Sequence, residues 1–157
     1  MTIGFTLNGQ PQSLACQPDR TLAQVLRNDM GLTATKEACS IGRCGACLVL
    51  IDGKATNACL TMAFQLEGTA VVTTEGLDND PLAELVRSAL AEENAFQCGY
   101  CAPGFVMALV ALLKENPAPG EENIRAGLEG NICRCTGYHS IIRGALAAAR
   151  MVQETLK

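Results

Sequence analysis

Eight of the nine cysteines in this chain fall into two four-cysteine sets, Cys39-x4-Cys44-x2-Cys47-x11-Cys59 and Cys98-x2-Cys101-x31-Cys133-x-Cys135, one in each half of the sequence. Each set has to be folded to one point, so together they fix which stretches of chain must meet. The two spacings do not resemble each other, and no internal repeat relates the halves. Two sets imply two metal centres. The alternative use of so many cysteines is a disulfide framework, which belongs to oxidising compartments. The N-terminal Met1-Thr2-Ile3-Gly4-Phe5-Thr6-Leu7 has neither the basic start nor the apolar core of a signal peptide. Reduced thiols bound to metal are therefore the expectation.

The remaining composition narrows the function classes. With 12 Lys plus Arg against 16 Asp plus Glu, a net charge of −4 and no basic run, nucleic acid is a poor partner. The richest apolar stretch, Ala102 to Leu113, is shorter than the roughly 18 residues a membrane span needs. A soluble, cytoplasmic chain with no membrane insertion is expected, with export alongside a partner left open. A hydrophobic fraction of 48% over 157 residues supports either one ordinary domain or two small ones.

The halves differ in periodicity. Ile3, Phe5 and Leu7 alternate with polar or small residues, and Asn8-Gly9 reads as a type I′ turn into a second strand ending at Cys16. Thr21-x-x-Gln24 reads as a capping box for a helix with Leu22, Val25, Leu26 and Met30 on its apolar face and Gly31 at its end. Leu48 to Ile51, Ala55 to Cys59 and Ala70 to Thr74 read as short strands, the first two joined at Asp52-Gly53. This half is predicted to be a small mixed sheet on one helix. After Asp80-Pro81 the period becomes helical, with Leu82, Leu85, Val86, Ala89 and Leu90 on one face. Pro103 starts a second helix, apolar nearly all round and so buried. A short third helix carries Ile124 and Leu128, and a fourth carries Ile141, Ile142, Ala145, Leu146, Ala149 and Val152. The expected fold class is α+β, with residues 1–76 forming the sheet domain, residues 77–157 a four-helix bundle, and the polar stretch Glu75 to Asp80 linking them.

The first set opens with the C-x4-C-x2-C run of plant-type [2Fe–2S] ferredoxins. Three thiolates of the Cys39 to Cys47 loop must converge on one small inorganic core while backbone N–H groups turn toward the sulfurs. Gly42 and Gly45 suit that loop, because glycine takes positive φ and carries no Cβ to crowd the core. Amide hydrogen bonds to the sulfurs would tune the potential, about −400 mV for plant-type centres. Structural zinc also favours four cysteines, but its ligands usually come as two C-x2–4-C pairs, which the compact three-cysteine loop matches poorly. A thioredoxin-like pair at Cys44 and Cys47, or at Cys98 and Cys101, would need a βαβ setting that neither has. Cys98 and Cys101 precede one helix, and Cys133 and Cys135 precede another. Helix N-termini favour negative charge, which suits thiolates.

The flanking residues carry a closer likeness. Phe96-Gln97-Cys98-Gly99-Tyr100-Cys101-Ala102-Pro103-Gly104 and Gly130-Asn131-Ile132-Cys133-Arg134-Cys135-Thr136-Gly137-Tyr138, preceded by Cys39-x4-Cys44-Gly45-Ala46-Cys47, resemble the small iron–sulfur subunit of the molybdenum hydroxylase (xanthine dehydrogenase/aldehyde oxidase) family. The resemblance covers essentially the whole chain. It implies a β-grasp plant-type ferredoxin domain, then a helical [2Fe–2S] domain, with Cys39, Cys44, Cys47 and Cys59 holding one cluster and Cys98, Cys101, Cys133 and Cys135 the other. It further implies a large partner subunit that binds molybdopterin, as the cytosine dinucleotide, and hydroxylates an N-heterocycle, purine or aldehyde. Electrons would leave toward a flavin subunit, a cytochrome or another acceptor. Gln97 and Cys135 inherit contact with the pterin from the same resemblance. Without the flanking motif, Gln97 reads as an ordinary helix-end amide. Ala38 and Leu48 depart from the usual family pattern, which has glycine and threonine there, and neither change removes a ligand.

Other polar candidates carry less. Cys16 reads as a small inward-facing residue of its strand, and His139 as an exposed histidine near a helix start. Arg43 and Arg134 lie between ligands and read equally as potential-raising charges or as solvated arginines. The alanine run 145 and 147–149 reads as close helix packing. No acid, base or nucleophile for substrate chemistry can be named.

Overall fold

The alternating segment at the N-terminus forms a hairpin because Asn8 and Gly9 both take positive φ, 50° and 79°, as a type I′ turn requires. In the computed structural model, which describes residues 1–156, this hairpin is β1 (Thr2–Leu7) and β2 (Gln10–Ala15). A second hairpin of β3 (Leu48–Ile51) and β4 (Lys54–Asn57) turns at Asp52-Gly53, and β5 (Ala70–Val72) completes a mixed sheet of order β2-β1-β5-β3-β4. Only the β1–β5 pair is parallel. The strands predicted over 55–59 and 70–74 end early, at Asn57 and Val72. Beyond these points the chain turns, and Thr74–Leu77 is a 3₁₀ turn.

The capping box at Thr21 and Gln24 is present with both hydrogen bonds, 3.3 and 3.1 Å. The helix it starts, α1 (Leu22–Gln24), widens after one turn into a π-turn over Val25–Asp29, closed by the Met30 amide on the Val25 carbonyl at 3.2 Å. Arg20 donates to the Gln24 carbonyl at 3.4 Å, where the helix widens. The predicted regular α-helix is thus one α-turn followed by a π-turn.

Strand β3 explains how the halves come together. Side chains alternate along a strand, and Val49 packs into the core of the sheet and α1 while Leu50 packs into the core of the helices. Its continuous apolar sequence is that of a strand covered on both faces. The second half holds α2 (Pro81–Glu92), α3 (Ala102–Glu115), α4 (Glu121–Gly127) and α5 (His139–Thr155). Eight residues of α3 are buried, since β3 covers one side and other helices the rest. Helices α2 and α5 approach so closely at Gly144 that a Cβ there would stand 3.1 Å from the Leu90 Cα, and Ala145, Ala148 and Ala149 continue that buried face. The expected linker is not a free tether. Leu77 is buried in the helical core, and Asp80 caps α2 through the amides of Leu82 and Ala83. Among the described residues no helix is long and apolar enough to cross a membrane.

Candidate metal centres

The loop from Gly31 to Cys47 carries no regular structure, so its carbonyls are satisfied one at a time. Lys36 N donates to Ala46 O, Leu48 N to Gly45 O and Ala58 N to Cys47 O, at 3.1 to 3.2 Å. Gly42 and Gly45 stand at φ 75° and 69° as expected, and a Cβ on Gly42 would overlap the Leu60 side chain. This folding turns amides inward. Arg43 N donates to Cys39 Sγ at 3.3 Å. The Cys39 thiol is lowered to about 6, first by the Ile41 amide and also by the amides of Cys44 and Arg43. A thiol so lowered is largely thiolate at neutral pH, the form that ligates metal. Cys47 and Cys59 lie deeper, and burial, with Cys59 as neighbour, pushes Cys47 up to about 12.

The second set is built by aromatic packing. Phe105 on α3 lies between Phe96, at 5.7 Å, and Tyr138, at 6.4 Å, which ties the Cys98–Cys101 loop to the loop before α5. The Tyr138 hydroxyl accepts from Cys133 N at 2.9 Å. Cys101 is the residue before α3, and burial together with Cys133 pushes its thiol up to about 12. Cys98 and Cys135 are exposed with their sulfurs 3.5 Å apart, and the Tyr100 amide lowers Cys98.

Within each set the thiols stand two by two. Cys39 faces Cys44 and Cys47 faces Cys59. Cys98 faces Cys135 and Cys101 faces Cys133. Among the described residues no disulfide joins the cysteines. Two pairs per set, with inward amides and a glycine cradle, fit a core of two metals each held by two thiolates.

The two loops also touch each other, which sequence reading missed. Ile132 N donates to Cys44 O at 2.9 Å, so one hydrogen bond joins a cysteine of the first set to the residue before a cysteine of the second. Gly104, on the first turn of α3, packs directly on the backbone of Gly45 and Ala46. The Tyr100 hydroxyl donates to Glu37 O at 2.7 Å, beneath Lys36. Of the other candidates, Gln97 is exposed beside Cys98, Arg43, Arg134 and His139 are exposed, and Cys16 is half-buried against the sheet core.

Residues 5–73 match the family model described as 2Fe-2S iron-sulfur cluster binding domain, and residues 73–146 match that described as [2Fe-2S] binding domain. A protein of Bacillus subtilis (strain 168), named as a probable subunit of xanthine dehydrogenase, is 50% identical over 146 residues, covering 93% of this chain and 84% of the relative. The chain belongs to the small iron–sulfur subunits of the molybdenum hydroxylase family. A chain of quinoline 2-oxidoreductase from Pseudomonas putida 86 superposes with a TM-score of 0.91 at 39% identity, covering 98% of this chain and 96% of that one. Aldehyde oxidoreductase from Desulfovibrio desulfuricans ATCC 27774 gives 0.90 at 36% identity, covering 98% of this chain but only 17% of the larger one. As a molybdenum hydroxylase iron–sulfur subunit, the chain is an oxidoreductase component that works in electron transfer, with a 2Fe–2S binding domain in each half.

Proposed function

We propose that this subunit relays electrons from a molybdopterin centre on a large partner subunit, through two [2Fe–2S] clusters, to a flavin subunit, a cytochrome or another acceptor. Cys98, Cys101, Cys133 and Cys135 hold the inner cluster, and Cys39, Cys44, Cys47 and Cys59 the outer one. The observation that carries this reading is the two-by-two pairing of thiols in two abutting loops. When bound, such a cluster takes up and releases one electron at a time. The chain's own residues supply position and tuning. Inward amides stabilise the thiolates, Phe105 fixes the inner ligand loops together, and the Ile132–Cys44 hydrogen bond and the Gly104–Gly45 contact keep the two sites at a constant separation.

The two domains, 1–76 and 77–157 with Lys157 outside the described residues, are read as a β-grasp ferredoxin domain and a four-helix bundle. The parallel β1–β5 pair and the shared core of α2 to α5 support this. Exposure of Gln97, Cys98 and Cys135 on one rim supports contact between Gln97, Cys135 and the partner's pterin, which is read as molybdopterin cytosine dinucleotide. That the aldehyde oxidoreductase chain is far longer supports a large partner. The substrate class is an N-heterocycle, purine or aldehyde, and the compartment the cytoplasm. In the assembled complex, Gln97→Ala should leave both clusters intact and reducible by dithionite but slow their reduction by substrate in rapid-mixing experiments. Unchanged substrate-driven reduction would contradict the proposed orientation.

A further inference from the structure

Among the described residues, four buried polar atoms meet no partner in the chain, Thr35 Oγ1, Thr74 Oγ1, Glu75 Oε2 and Asn131 Nδ2, and of these only Asn131 Nδ2 is solely a donor. Asn131 is 4% exposed, and its Nδ2 is sealed from solvent with no acceptor in the chain. A buried donor without a partner usually marks an acceptor that is not part of the polypeptide. The amide lies against the Cα of Gly45, since a Cβ there would stand 2.7 Å from Asn131 Nδ2 and 3.0 Å from its Cγ. Gly45 sits between the ligands Cys44 and Cys47, so a side chain of the helical half presses on the middle of the outer ligand loop.

The carbonyls of Cys44, Gly45, Ala46 and Cys47 each accept an amide, from Ile132, Leu48, Lys36 and Ala58, and none of them meets Asn131 Nδ2. Nδ2 itself is closed to bulk solvent, although Asn131 borders a 620 Å³ cavity between the β3–β4 hairpin and α3. The cluster that this loop would hold brings sulfur acceptors to the same place, because Gly45 lies between Cys44 and Cys47.

We propose that Asn131 donates its side-chain N–H to a sulfur of the outer [2Fe–2S] cluster and so sets that cluster's potential from the other domain. The inference rests on the two-cluster reading above. Hydrogen bonds to cluster sulfur favour the more negative, reduced state and raise the potential. With this donor supplied in trans, seating the helical half on the ferredoxin half completes the outer site. The outer potential then depends on the contact between domains.

The test uses the assembled complex and EPR-monitored redox titration, taking as the outer signal the one that Cys59→Ser alters. Asn131→Leu removes the donor at similar volume, and Asn131→Asp keeps the shape but presents acceptor oxygens and a negative charge. The leucine variant should lower the outer cluster's reduction equilibrium about tenfold, or about 59 mV for a one-electron couple, and the aspartate variant further, with the inner cluster unmoved. An unmoved outer midpoint, or equal shifts in both clusters, overturns the proposal. Should neither variant take up iron, selective ¹⁵N labelling of asparagine side chains decides the matter. Because Asn57 also stands beside Cys47, the label is read in Asn57→Asp protein: a ¹⁵N hyperfine coupling on the outer signal is expected there, and its absence overturns the assignment. A native protein with no iron–sulfur signal at all would overturn the two-cluster reading, whereas two normal signals with an insensitive outer one would remove only the role of Asn131.

Discussion

Replacing Gly104 by alanine adds one methyl at the point where the two ligand loops meet. That methyl would overlap the Gly45 carbonyl oxygen and stand 3.0 Å from the Gly45 carbonyl carbon and 3.2 Å from the Ala46 Cα. These are backbone atoms, so no rotamer change relieves the overlap, and α3 must move away from the outer loop. Overpacking costs typically about 1–3 kcal/mol, and a contact that only backbone can yield belongs in the upper part of that range. Alanine recovers up to about 1 kcal/mol of helix propensity, less in a first turn. The net loss is then about 1–2 kcal/mol, which for a chain of this size lowers the melting temperature by roughly 2–8 °C. Because the displaced segments carry Cys44 and Cys47 on one side and Cys101 on the other, both EPR signals should change. Melting is followed by loss of visible absorbance, with Gly130→Ala as the control, since nothing lies within 4 Å of its added Cβ. A Gly104→Ala protein that melts with the native one and shows two native EPR signals would refute the close-contact reasoning.

Two further perturbations probe separate parts of the account. Cys47→Ser should disturb one EPR signal and Cys101→Ser the other, because the two thiols belong to different sets; equal disturbance of both by either change, in a folded protein, would undo the assignment of separate centres. Asp80 caps α2 and pairs with Lys114 at 2.9 Å. Burial pushes its carboxyl up, but Lys114 and the Leu82 and Ala83 amides outweigh this and hold it below the usual range. A depressed carboxyl stabilises the fold above its unfolded value, near pH 3.9, and loses that effect as the pH falls through the folded value. Asp80→Ala should cost about 1–2 kcal/mol near neutrality, and Asp80→Asn should flatten the acid loss seen in urea titrations. An acid profile identical to native in the asparagine variant would count against this role.

How much of this was readable in the chain depends on whether the determinant is local. Asn8-Gly9, the Thr21–Gln24 capping box and the all-round apolar stretch after Pro103 dictate their own structure, and the hairpin, the helix start and the buried α3 follow from them. The cysteine sets were legible from spacing, but spacing names a set without saying which thiols stand together. The widened turn over Val25–Asp29 has no periodic signal, because a π-turn shifts only which carbonyl each amide meets. The run Leu48 to Ile51 announces a buried strand, yet what covers its second face is α3, more than fifty residues away. Contact between the ligand loops was invisible for the same reason. Gly104 reads as one more glycine after a proline, and Asn131 as a polar residue in a loop, until Gly45 is brought against both.

Metal and sulfide analysis of the purified chain tests the central claim most directly. Two [2Fe–2S] clusters require four irons and four acid-labile sulfides per chain, a red-brown colour and two distinguishable EPR signals on reduction. Visible bands should be prominent, since the chain has no Trp and only two Tyr to absorb near 280 nm. A colourless protein carrying stoichiometric zinc and no labile sulfide would contradict the account at its root.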